Sequence, residues 1–83
     1  MVIVKNIKKD NNIISCDYVP EDSEYVGHIV VNLESEDIIE HKNSGFPGVL
    51  FFKDDAYALH AKTKLLEISD NKVFDEPVTV MWY

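Results

Sequence analysis

Three histidines, His28, His41 and His60, and a single cysteine, Cys16, are the side chains of this 83-residue sequence best suited to proton transfer, metal binding or nucleophilic attack near neutral pH. Their spacing matches no established centre. No histidine stands in an H-E-x-x-H pattern or beside the paired cysteines of a zinc site. His28 and His41 can approach each other across a hairpin, with Glu40 nearby, but solvated strand histidines are the plainer account of them. His60, Lys64 and Glu67 follow at i, i+4 and i+7, so consecutive members of the trio touch on one helical face and can in principle pass a proton. An exposed polar face is the plainer account of them. Cys16 lies between Ser15 and Asp17, where an acid replaces the base that would activate a thiolate, which predicts a buried structural thiol. Gly27-His28 and Gly45-x-x-Gly48 lack the Lys-Ser or Lys-Thr pair and the following helix of a phosphate-cradling loop. The residues therefore predict no catalytic, cofactor or metal site, and point away from an enzyme.

Charge narrows the choice of partner. Fifteen acidic residues against eight basic ones give a formal net charge of -7, and every basic residue is lysine. Without arginine the chain lacks the planar fork that grips guanine edges and phosphates in pairs of hydrogen bonds. Nucleic acid is thus disfavoured as a partner. The runs Glu21-Asp22-x-Glu24 and Glu34-x-Glu36-Asp37 suit either solvated loops or a negative surface that meets a basic protein or imitates a nucleic-acid backbone. Phe46, held in a loop, and the aromatic C-terminus Trp82-Tyr83 are candidate interface anchors, with core packing as the alternative for the terminal pair.

The elements that must hold these residues are legible from local chemistry. Val2 to Ile7 is short and β-branched and runs into the polar turn Lys8 to Asn12; Ile13 to Val19 forms a second strand that Pro20 stops. Tyr25 to Leu33 resumes a strand with Ile29, Val31 and Leu33 on one face. The turn Glu34 to Asp37 returns through Ile38-Ile39-Glu40-His41; a bulge residue at Glu36 would set Val31 opposite Ile39 and Ile29 opposite His41. Asn43 to Gly48 is a loop, and Val49 to Phe52 a short buried segment, either a strand or the lead into a helix. Asp54-Asp55 supply a cap and the negative charge that a helix start favours, predicting a helix over 55–69. Its buried stripe is Tyr57, Ala58, Ala61, Leu65 and Ile68, flanked by Leu59 and Leu66, with His60, Thr63, Lys64 and Glu67 opposite. Pro77 to Tyr83 closes the chain as a strand with Val78, Val80 and Trp82 on one face.

The order ββββ(β)αβ gives a single α+β domain over 1–83: an antiparallel sheet of four to five strands with one helix packed on one face. Two alanines in the centre of the helical stripe allow that close approach. A chain this short buries only roughly 60–65% of its unfolded surface, so oligomerisation is a natural supplement to its core. A lone cysteine excludes an intramolecular disulfide and points to the cytoplasm, and no apolar stretch reaches the length of a signal-peptide core or a membrane span.

Tyr57-Ala58-x-His60-Ala61 and Val80-Met81-Trp82-Tyr83, with the strand-turn-strand at residues 27 to 39, resemble a small family of uncharacterised proteins from Gram-positive bacteria and their mobile elements. The resemblance covers the last third of the chain and the strand-turn-strand at 27–39, and implies cytoplasmic residence and no particular activity. The functional expectation is a noncatalytic protein-interaction module, self-associating or bound to another protein; the alternatives are an acidic inhibitor or nucleic-acid mimic on a basic protein surface, and a small enzyme whose site forms between subunits.

Overall fold

The computed structural model describes residues 1–21, 23–45, 51–74 and 76–81, with backbone only for 51–55. Strands β1 (Val2–Asp10), β2 (Ile13–Pro20), β3 (Gly27–Asn32) and β4 (Asp37–Lys42) precede helix α1 (Phe51–Ile68), and β5 (Val78–Val80) follows it. They form one antiparallel sheet in the order β4-β3-β2-β1-β5, which matches the α+β architecture expected from sequence. Among the described residues no fifth strand stands before the helix.

Alternation decides which side is the core. Val2, Val4, Ile14, Cys16, Tyr18, Ile29 and Val31 are fully buried on the face that α1 covers. From the helix come Tyr57, Ala58, Ala61 and Leu65, the stripe read from the sequence. Ala58 and Ala61 offer so little bulk that the helix axis settles close over the sheet. Leu59 stays exposed while Leu66 and Ile68 pack against the core, so the stripe widens on one flank only.

Several boundaries differ from the sequence reading. Lys8, Lys9 and Asp10 belong to β1 rather than to a turn; the turn is Asn11-Asn12, with Asn11 at φ 55°, which asparagine tolerates better than other side chains with a Cβ. The helix begins at Phe51, so Asp54 and Asp55 lie inside it rather than at its start. At its other end Lys9 Nζ donates to the Ser69 carbonyl at 2.7 Å, bringing from the sheet the positive charge that the last turn lacks. In the β3–β4 hairpin Glu36 is left-handed at φ 62° and Ile29 pairs with His41, as expected. Val31, however, pairs with Ile38, because a second irregularity falls between Val30 and Val31 and leaves Ile39 as the extra residue, 49% exposed.

The opposite face of the sheet carries the other half of the alternation. Strand pairing lines up Lys42, His28, Asp17 and Lys5 in one row across β4 to β1, and Glu40, Val30, Ser15 and Lys8 in the next. Ile3 and Val19 pair beyond the first row, and Ile13 and Asn32 beyond the second. No described helix or strand packs on this face, although Val19 is buried within it.

Candidate functional site

The site grows from a break in β1. Its register with β2 shifts between Lys5 and Lys8, so Asn6 and Ile7 together form a bulge. Asn6 takes φ 53°, a conformation that costs asparagine less than it costs most residues, and Ile7 turns into the core. The bulge aims the Asn6 amide at β2, where Nδ2 donates to Asp17 Oδ2 at 2.8 Å.

The other oxygen of Asp17 lies 2.7 Å from Nδ1 of His28, its register partner on β3. With the carboxylate ionised, Nδ1 carries the proton and the neutral ring keeps its lone pair on Nε2. Among the described residues no hydrogen bond reaches that second nitrogen, and the side chain is 43% exposed. Partial burial pushes the Asp17 carboxyl up, but the hydrogen bonds from Asn6 and His28, with the charges of His28 and Lys5, outweigh it and hold the group below its usual range.

Glu76 approaches from the sheet edge. β5 stops pairing where Val4 meets Val78, leaving the Ile7 N–H without a strand partner, and Glu76 Oε1 accepts from it at 3.0 Å. Asn6, Ile7, Lys8, Asp17, His28 and Glu76 thus line one open recess of about 360 Å³. Its donors and acceptors are two carboxylates, one oriented imidazole, one amide and the Lys8 ammonium. Such a set can hold a cation or accept hydrogen bonds from a polar partner. A second recess, of about 380 Å³, lies where the Asn11-Asn12 turn meets the end of α1, lined by Lys9, Leu33, Glu36 and Asp70 among others.

The sequence-derived candidates are placed as follows. His28 and His41 do not meet: His28 bonds Asp17 on the uncovered face, whereas His41 Nε2 lies 2.6 Å from the Tyr18 hydroxyl on the other. The tilted rings of Tyr18 and His41 are 5.8 Å apart. Of His60, Lys64 and Glu67, the last two join in an ion pair at 3.2 Å while His60 is half-buried on the same helix, and the trio lines neither recess. Phe46, Trp82 and Tyr83, the candidate interface, lie outside the described residues. Cys16 is fully buried, as expected, and burial first, then the charges of Asp17 and Glu76, push its thiol up to about 12.

Sequence reasoning missed Asn6, Asp17 and Glu76. The available signal was Asn6 itself, a turn-forming residue between Lys5 and Ile7 in an otherwise β-branched run, where a bulge is the natural reading. Among the described residues no group of three or more His, Cys, Asp or Glu converges on one point, and no helix is long and apolar enough to cross a membrane. No protein-family model, curated protein or solved structure matches this chain.

Proposed function

We propose that this protein is a noncatalytic interaction module that self-associates through the uncovered face of its sheet. The observation that carries the reading is the composition of that face, where the partly or fully exposed Ile3, Ile13 and Val30 surround a hydrogen-bonded polar centre. Preorganised polar groups within an apolar surround suit a specific contact, because their ordering cost is met before association. Charge favours a second copy as the occupant. Lys5, Lys8 and Lys42 stand against Asp10, Asp17, Asp37, Glu40 and Glu76 on this face, a formal -2 of the chain's -7, so two copies meeting here keep most of their like charge apart. The small core gives association a thermodynamic use, since a partner bound only to the folded state stabilises it.

Sedimentation equilibrium across a hundredfold concentration range tests this. The expected result is a reversible dimer that Val30→Lys weakens at least tenfold with little change in the urea midpoint. A wild-type chain that stays monomeric at millimolar concentration removes the reading. Deleting Trp82 and Tyr83, the other candidate anchors, addresses the C-terminus separately: loss of association beyond loss of stability would assign the contact there instead.

A further inference from the structure

We infer that His28 is a site of covalent modification, taking a phosphoryl group on Nε2 from a donor of the phosphoramidate class, in which phosphorus is bound to nitrogen. The inference stands apart from the self-association proposed above and assigns a chemistry to the oriented ring of the uncovered face.

A nucleophilic imidazole needs one nitrogen free of its proton and the other held. Nδ1 of His28 lies 2.7 Å from Asp17 Oδ1, and Asn6 Nδ2 donates to Asp17 Oδ2 at 2.8 Å, so both carboxylate oxygens are engaged and the group is fixed behind the ring. A carboxylate so placed keeps the proton on Nδ1, leaves the Nε2 lone pair as the nucleophile and stabilises the imidazolium that forms when that pair is used. Asp17 and His28 are register partners on the adjacent inner strands β2 and β3, and the left-handed Asn6 of the β1 bulge stores local strain to hold them in place. The side chain of His28 is 43% exposed, and no described residue bonds its Nε2. The other histidines differ: His41 Nε2 is engaged with the Tyr18 hydroxyl at 2.6 Å, and His60 is half-buried on α1.

Local charge selects the electrophile. Lys42 is the register partner of His28 on β4, and Lys8 lines the recess that His28 shares. Residues directly opposite on antiparallel strands hold their Cβ atoms about 4.5–5.5 Å apart, within the reach of a lysine stem, so an anion carried on the ring meets an ammonium. The carboxylates stand further off: Glu40 is in the next row beside Val30, and Glu76 is tethered by the Ile7 N–H. Phosphoryl transfer asks mainly for positioning and for cations at the phosphoryl oxygens, whereas acyl transfer also asks for donors aimed at a single oxyanion. In the step, the Nε2 lone pair bonds to phosphorus as the donor's P–N bond breaks. The donor's nitrogen arrives protonated, so the electron pair leaves on a neutral amine and no acid need be positioned. The phosphorylated ring keeps its proton on Nδ1, and its positive charge is held against Asp17.

The test is incubation of the full chain with potassium phosphoramidate at elevated ionic strength, which screens the repulsion between an anionic donor and a chain of charge -7. Intact mass, tandem mass spectrometry at alkaline pH and phosphorus NMR read the product. The expected result is one acid-labile phosphate per chain, on His28, as the Nε2 isomer alone. His28→Gln removes it. Asp17→Asn slows the transfer roughly tenfold or more and yields both ring isomers, a signature that a loss of stability would not give. Lys42→Met slows it about threefold with the isomer unchanged. Circular dichroism checks that each variant folds. Phosphate distributed among the three histidines, the Nδ1 isomer in the wild-type chain, or no transfer under conditions that phosphorylate free imidazole overturns the proposal.

Discussion

Gly27 shows how one missing side chain organises contacts across three strands of the sheet. It pairs with Tyr18, whose ring lies so close that a Cβ on Gly27 would meet Tyr18 Cζ at 2.2 Å. The glycine is the floor over which the phenol crosses to reach His41 on the next strand. Gly27→Ala should therefore destabilise the fold by about 1–3 kcal/mol, the usual result of overpacking, measured as a lowered urea midpoint with loss of the tyrosine near-ultraviolet dichroism. Asp17 allows a prediction in pH. Its carboxyl is held below the ordinary 3.8, so it contributes stability that is present above that value and lost as pH falls through the lower folded value. Asp17→Asn should leave a shallower loss of stability below about pH 4, followed by denaturant melts at a series of pH values. Cys16, with its thiol raised to about 12 and no exposed surface, should resist a thiol reagent in the native protein and react only as fast as the chain unfolds.

At the scale of elements, the helix was the most legible part of the sequence because its pattern is local. Tyr57, Ala58, Ala61 and Leu65 recur at helical spacing whatever they pack against, and all four are buried. Its start was misplaced because Phe51 and Phe52 are equally at home in a strand, and the acidic pair behind them imitates a cap. Strand existence was legible for the same reason as the helix, but strand register was not. The Asp17–His28 pair depends on the register of β2 against β3 and the shift in β1 on its pairing with β2, so neither could be read from spacing, whereas the separation of His28 from His41 is already implied by setting Ile29 opposite His41. Ala61→Leu is the variant that tests the helix contact: forcing α1 away from the sheet should cost about 1–3 kcal/mol, read by thermal melting, whereas Thr63→Ala on the exposed side should cost far less.

For the molecule as a whole, the two layers are unequal. One face of the sheet is filled by a single helix, and the other is a patterned surface with an oriented imidazole near its middle. The edges do not invite indiscriminate pairing: β5 is three residues long, and β4 is exposed, charged and bulged at Ile39. That asymmetry is why the proposed association uses the face rather than sheet extension. A prediction at this scale is that hydrogen exchange in β4 remains fast on dimerisation while the amides of β2 and β3 slow, the reverse of what pairing through the β4 edge would give.

Asp17 and Tyr18 are neighbours on β2, yet they point to opposite faces, and each holds a histidine from another strand. Together they act as a parity check on assembly. If β2 slides by one residue against β3, the carboxylate turns toward the apolar side and the phenol toward water, and both histidines lose their partners in the same step. A sheet built mainly from short β-branched stretches has many nearly equivalent alignments, and this adjacent pair makes the alignments off by one the most heavily penalised.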